Sequence, residues 1–199
     1  MGVTAPPVRR AAQADAGTLA AVLARAFHDD PVMSWVFPRD ATRPAWTRRY
    51  FRTRLRALLS GGEVYTTADS AGAALWAPPE GWRFGLWETA ALARFLPATG
   101  RRTARVLRGL ESVEHRHPET PHWYLAVLGT EPSRQGEGIG SALLSPMLEA
   151  CDADEIPAYL ESSKERNIAF YARHGFRVTE EVGLPGGPPL WLMWRDPRP

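Results

Sequence analysis

Gln135-Gly136-Glu137-Gly138-Ile139-Gly140 is the stretch on which the reading of this chain turns. In front of it runs His122-Trp123-Tyr124-Leu125-Ala126-Val127-Leu128-Gly129-Thr130, rich in aromatic and β-branched residues as a buried strand is. Behind it, Ile139, Leu143, Met147 and Ala150 recur at helical spacing. Three glycines at alternate positions let backbone N–H groups crowd around a phosphate with no Cβ in the way. The helix start adds unpaired donors and a positive dipole end. Gln135, Gly136, Glu137, Gly138, Ile139 and Gly140 therefore read as a pyrophosphate cradle.

Two other glycine-loop chemistries fit less well. A P-loop ends in Gly-Lys-Ser/Thr, whereas Gly140 is followed by Ser141 with no lysine. A dinucleotide-binding fingerprint comes nearer: Gly136, Gly138 and Ser141 almost match it. Glu161 also stands about 20 residues on, where a ribose-binding acid belongs. That turn begins at the strand end, however, and here five residues separate Thr130 from Gly136. Only about 60 residues follow, too few for doubly wound half-domains. The structural alternative is a glycine-rich helix entry with no ligand.

Further on, strand-like Ala158-Tyr159-Leu160-Glu161-Ser162 leads into Asn167-Ile168-Ala169-Phe170-Tyr171-Ala172-Arg173-His174-Gly175-Phe176. The cradle followed by Tyr171-Ala172-Arg173-His174-Gly175-Phe176 resembles the GCN5-related N-acetyltransferases. In that family a Gln/Arg-x-x-Gly-x-Gly/Ala loop binds the coenzyme A pyrophosphate, and a helix ending Tyr-x-x-x-Gly-Phe carries a tyrosine beside the thioester sulfur. Trp123-Tyr124-Leu125-Ala126, Leu160-Glu161-Ser162-Ser163 and Arg166-Asn167 extend the likeness to its puromycin N-acetyltransferase-like actinobacterial members. The resemblance is densest over residues 120–199.

The resemblance implies an α+β fold: a mixed α/β sandwich, its central sheet mostly antiparallel, with splayed strands and flanking helices, in one domain over residues 1–199. It implies acetyl-CoA as co-substrate, no metal, and transfer of acetyl to the primary amine of a small molecule, such as a puromycin-like aminonucleoside antibiotic. A protein or peptide N-acetyltransferase and a non-catalytic acetyl-CoA sensor are the alternatives. By position, Leu128, Gly129 and Thr130 would pair with the pantetheine arm, and Tyr171 would protonate the departing thiolate. Asn167, one helical turn before Tyr171, would help hold the cofactor. Many members place that asparagine seven residues before the tyrosine, where this chain has Lys164.

Acylating an amine requires that the amine lose a proton, the thioester carbonyl be polarised and the thiolate be neutralised. Glu161, at the end of its strand, is the first candidate for the base, and Asp30 is the second. Trp35, Trp82 and Trp87 with Phe84 form an aromatic set in segments expected to border the acceptor. Such walls suit a flat or apolar amine. Asp30, Trp35 and Trp82 are the expected substrate-binding residues.

Composition sets the outer bounds. The 199 residues, 44% hydrophobic, are enough for one domain with a real core. Met1 to Pro7 lacks the apolar core of a signal peptide, and no stretch approaches the roughly 20 residues of a membrane span. A cytoplasmic monomer or homodimer, away from membranes, is expected. The single cysteine, Cys151, excludes an internal disulfide and reads as a small core residue. With 24 basic and 22 acidic residues the charge is nearly balanced. Arg48, Arg49, Arg52 and Arg56 fall at helical spacing and read as a solvated face, not a nucleic-acid surface. His115, His117 and His122 lack zinc-site spacing and are expected in a solvent-facing loop.

The element order expected along the chain is β-α-α-β-β-α-β-α-β-α-β-β. Its first helix is capped by Asp15 and stops by Pro31, and its second runs over 42–59 to Gly61-Gly62. Residues 86–111 are expected to be helical in parts, broken near Pro97 and Gly100.

Overall fold

Alternation along the central strands decides which helices pack on which face of the sheet. In the computed structural model, which describes residues 7–79, 81 and 93–198, β3 (Gly72–Ala77) is buried throughout. Ala74 and Trp76 join one hydrophobic cluster, and Ala73, Leu75 and Ala77 join the other. That two-residue period is what a strand covered on both faces requires. Helices α1 (Ala16–Ala26) and α3 (Arg43–Gly61) cover one face through Leu19, Leu23, Phe51, Leu55 and Leu58. The last long helix, Ile139–Ala153, covers the other through Leu143, Leu144, Met147 and Cys151. The molecule is a mixed α/β sandwich, as the resemblance implied.

Among the described residues the sheet has seven strands, in the order β1-β2-β3-β4-β5-β7-β6. Besides β3 they are β1 (Val8–Arg10), β2 (Glu63–Thr67), β4 (Trp123–Thr130), β5 (Ala158–Ser162), β6 (Arg177–Gly183) and β7 (Pro189–Arg195). Every pairing is antiparallel except β4 with β5. Among the described residues, the helices between β3 and β4 are α4 (Leu96–Thr99) and α5 (Thr103–Glu114). Beyond β4 come α6, the Ile139–Ala153 helix, and α7 (Ile168–Arg173).

Two helix boundaries differ from expectation. Pro31 does not simply end the first helix; it opens a separate short one, α2 (Pro31–Val36), because Asp30 caps it by accepting from Met33 N–H at 2.9 Å. Proline suits that first turn, where its missing N–H has no partner to lose. The helical stretch is broken near Pro97 and Gly100 as expected: Arg94 and Phe95 form a turn, Pro97 sits in the first turn of α4, and that helix ends at Gly100. Asp15 holds the N-cap position of α1 but makes no side-chain cap bond; its carboxylate accepts from Ala12 N–H and pairs with Arg9. No helix among the described residues is long and apolar enough to cross a membrane.

Cys151 is fully buried in α6, and burial pushes its thiol up to about 12. Since the thiolate is the reactive form, the folded protein should resist a disulfide reagent at pH 8 and react once unfolded. Rapid labelling of the native protein would place Cys151 outside the core.

Candidate active site

One strand pairing stops short, and the site begins there. β4 and β5 pair only from Trp123 with Ala158 to Leu125 with Leu160. Beyond Leu125, β4 keeps β3 on one side, while β5 keeps β7. The cause is visible in the β3–β4 register, where Leu75 faces Val127 but Trp76 faces Leu125. Ala126 is the extra residue of a β-bulge, and a bulge bends and twists its strand. It also resets the alternation: Leu125 packs toward α6, whereas Val127, two residues on, packs toward α1 and α3. A wedge opens between the strands, and a cleft of about 500 Å³ fills it.

Residues Leu125 to Thr130 line this cleft, so the expected Leu128, Gly129 and Thr130 border it. Gly129 also has a packing reason to be glycine: a Cβ there would lie 2.7 Å from Leu23 and 3.1 Å from Phe27 of the α1 segment.

The cradle closes one end. Gly136 and Gly138 have φ of +88° and +78°, which β-branched side chains essentially never adopt. Gly138 is the N-cap of α6, with no side chain capping it, and the first intrahelical bond is Ala142 N–H to Gly138 O at 3.0 Å. The N–H groups of the preceding turn have no intrahelical acceptor and are disposed for an anion. Gln135, Gly136, Gly138, Ile139 and Gly140 line the cleft. Glu137 does not: its carboxylate takes Arg134 Nε at 2.6 Å, and Arg134 also reaches Asp69 in the β2–β3 turn at 2.9 Å. Arg134, which the sequence reading passed over, ties the loop to the sheet.

Gly138→Val should leave the fold intact but cost at least tenfold in acetyl-CoA affinity, about 1.4 kcal/mol. The new side chain forces φ away from +78° and obstructs the N–H groups. Unchanged affinity by titration calorimetry in the folded variant would remove the cradle from this loop.

Tyr171 and Asn167 reach the cleft together, one turn apart at the start of α7. The Tyr171 ring is buried against Phe170 and Phe176, at centroid distances of 5.2 and 6.0 Å, and burial pushes its phenol up from the ordinary value. Its hydroxyl has no hydrogen-bond partner among the described residues.

Glu161 stands on the opposite wall, at the end of β5, with its side chain 12% exposed. Its Oε2 accepts the Tyr124 hydroxyl at 2.5 Å. The Tyr124 phenol is pushed well up by burial and by the neighbouring Glu161 charge, so it stays a donor. Asp30 also lines the cleft, and burial raises its carboxyl despite hydrogen bonds from Ser163 and Met33 N–H. Both of its oxygens are thus engaged in holding α2 and the strand end after β5.

Several expectations need correction. Trp35 does not border the cleft. It is buried with Val106, Leu184 and Leu190, and wedged so closely that a Cβ on Gly109 or Gly187 would meet its ring at 2.6 or 2.5 Å. Its place at an acceptor wall followed from sequence proximity to Asp30, but α2 turns it the other way. Trp82, Phe84 and Trp87 lie outside the described residues. Arg48, Arg49, Arg52 and Arg56 are exposed as expected, whereas Arg54 of the same helix is buried. His117 and His122 are not in a solvent-facing loop: they are 8% and 1% exposed and stack near Tyr124 and Tyr159. One signal was available, since His122 precedes Tyr124 by two residues and so shares its face of the strand.

With this geometry in view, comparison with known proteins is specific. The acetyltransferase (GNAT) family pattern matches residues 65–176, more than half of the chain and all of the cleft's strand, cradle and tyrosine helix. An uncharacterized N-acetyltransferase of Schizosaccharomyces pombe is 29% identical over 196 residues, which covers 89% of this chain and 78% of that protein. A Corynebacterium glutamicum structure described as histone acetyltransferase HPA2 and related acetyltransferase is 27% identical. It superposes with a TM-score of 0.75 and covers 98% of both chains. The PaiA N-acetyltransferase of Thermoplasma acidophilum, solved in complex with coenzyme A, shares the fold at 14% identity and a TM-score of 0.56, with 96% and 98% of the two chains covered. Fold, cleft and likeness converge: the chain belongs to the acetyltransferase (GNAT) family and is an N-acetyltransferase.

Proposed function

We propose that this enzyme transfers acetyl from acetyl-CoA to the primary amine of a small molecule, with an aminonucleoside of the puromycin kind as the first acceptor to test. It acts as one domain over residues 1–199, in the cytoplasm, as a monomer or homodimer. The observation that carries the reading is the cleft in which Phe27, Asp30 and Glu161 line one wedge together with the residues of β4. The Glu161 carboxylate is mostly buried there, which suits a compact amine better than a polypeptide.

The cradle fits the donor, since glycines at positive φ and free N–H groups at the start of α6 present an anion site beside the wedge. In that arrangement Gln135 to Gly140 hold the pyrophosphate, and Leu128, Gly129 and Thr130 pair with the pantetheine arm. Asn167 steadies the cofactor near Tyr171. Glu161 takes the proton that the amine must lose, directly or through one water, and Asp30 faces the incoming amine. Tyr171 gives its proton to the sulfur.

A panel of amines assayed for coenzyme A release tests this. Turnover should be highest with aromatic aminonucleosides or aromatic amino-acid amides, and lower with aminoglycosides and peptides. Preference for peptide N-termini or lysine side chains would overturn the small-molecule reading. Tight acetyl-CoA binding with no turnover on any amine would make the cleft a sensor.

A further inference from the structure

A second groove, of about 390 Å³, runs along α6 between that helix, the end of α7 and the chain that follows β7. Ser141 and Arg173 line both this groove and the cleft, so the two hollows adjoin at the first turn of α6.

Arginine dominates the groove. Arg195 is 2% exposed. Its Nε donates to the His174 carbonyl at 2.9 Å and its Nη2 to Asp152 at 2.6 Å, while Nη1 has no hydrogen-bond partner among the described residues. A buried guanidinium nitrogen left without an acceptor is costly and needs a reason. Arg198 comes to the same spot: a Cβ on Gly175 would lie 2.7 Å from Arg198 Nη2 and 3.3 Å from Arg195 Nε. Against these two cations stands Asp152, whose carboxyl is held below its ordinary value by the Arg195 hydrogen bond. Both of its oxygens are engaged, since Oδ1 accepts Arg198 N–H at 2.7 Å.

Arg173, the last residue of α7, adds a third guanidinium at the cradle end. Its Cζ stands 5.9 Å from the centroid of Phe170, and a Cβ on Gly140 would meet the Phe170 ring at 3.2 Å. The ring therefore packs on the cradle, with Arg173 beside it. Glu149, the second acid of the groove, accepts from the Ser145 hydroxyl at 3.0 Å. Three arginines thus line the groove with two carboxylates, and positive charge is left over.

We propose that this groove binds a phosphate monoester, with Arg173, Arg195 and Arg198 supplying the donors. A monoester presents three terminal oxygens and close to two negative charges, which suits several planar guanidinium forks better than a carboxylate does. Coenzyme A carries such a group at the 3′ position of the ribose that bears its pyrophosphate. A coenzyme with its pyrophosphate on the cradle starts its nucleotide where the groove opens, so the 3′-phosphate is the source that position favours. Free inorganic phosphate is the other. The choice of source rests on reading Gln135 to Gly140 as the pyrophosphate cradle; the groove and its arginines do not.

Titration calorimetry with acetyl-CoA and with its 3′-dephospho form tests this. The native protein should bind the phosphorylated form about tenfold more tightly, the worth of charge-assisted hydrogen bonds to one phosphate. Arg173→Ala and Arg198→Ala change exposed side chains, and the second keeps the backbone N–H that Asp152 accepts. Each should erase most of the preference while the dephospho form binds as it does to native protein. Gly138→Val should weaken both forms alike, so a failure of the cradle reading appears in that variant and a failure of the groove appears in the ratio. If the native protein does not distinguish the two forms, inorganic phosphate titrated into protein saturated with acetyl-CoA decides. Binding that Arg198→Ala abolishes would assign the groove to free phosphate. No preference together with no phosphate binding overturns the proposal, as does a preference that both arginine variants retain.

Discussion

Tyr171→Phe is expected to lower kcat by about 10² while leaving acetyl-CoA affinity near wild type. The ring belongs to the core under α6 and α7, packed edge-on against Phe170 and Phe176, and phenylalanine keeps those contacts. Only the hydroxyl is lost, at the cleft wall. Burial raises the phenol, so it remains protonated across any practical assay pH and is always available as a donor. The departing thiolate, an anion of a thiol with a pKa near 8.5, develops its charge in a partly buried cleft where a hydrogen-bond donor counts for more than in water. The loss should therefore appear in kcat, be independent of pH, and spare KM for acetyl-CoA. Wild-type turnover would mean that sulfur leaves as a free thiolate or takes its proton from water.

Glu161→Gln should reduce kcat/KM by about 10² and abolish or displace its acidic limb. Glutamine keeps the shape and can still accept the Tyr124 hydroxyl, yet it takes no proton at working pH. The sign follows from the role. A base must be ionised to act, so activity governed by Glu161 falls as pH drops and the carboxylate protonates. A free amine gives the same shape of profile when its ammonium form does not react. An acceptor with a less basic amine distinguishes the two, since an amine-controlled limb moves with the acceptor and ignores Glu161→Gln. That outcome would leave Glu161 an orienting carboxylate.

Local chemistry accounts for what could be read from the chain. Glycine at 136 and 138, with no Cβ, announces a tight anion-facing turn, and the tertiary structure places both at positive φ. The apolar period from Ile139 to Met147 declares a helix, and Tyr171 before Gly175-Phe176 declares a second one packed beside it. Such signals depend on residues close together in sequence, so cradle, tyrosine helix and most strand boundaries were legible from the chain alone. Facing directions across the fold were not. Trp35 lies five residues from Asp30, but a single turn of helix carries one to the core and leaves the other on the cleft. Arg54 sits among solvated arginines and points inward, because α3 is amphipathic and position 54 falls on its buried side with Leu55 and Leu58. Ala126 carries no mark of the bulge that opens the wedge between β4 and β5; the bulge is a feature of how β4 registers with β3, about 50 residues earlier in the chain. His117 and His122 look like loop residues until β5 brings Glu161 and Tyr159 against them from about 40 positions away. The sequence by itself determined the glycine-rich turn, the helix that follows it and the family. Only tertiary packing decided that Glu161 and Asp30 reach one cleft, that Trp35 does not, and that His117 and His122 are buried, because burial is a property of neighbours that the chain brings together only when it folds.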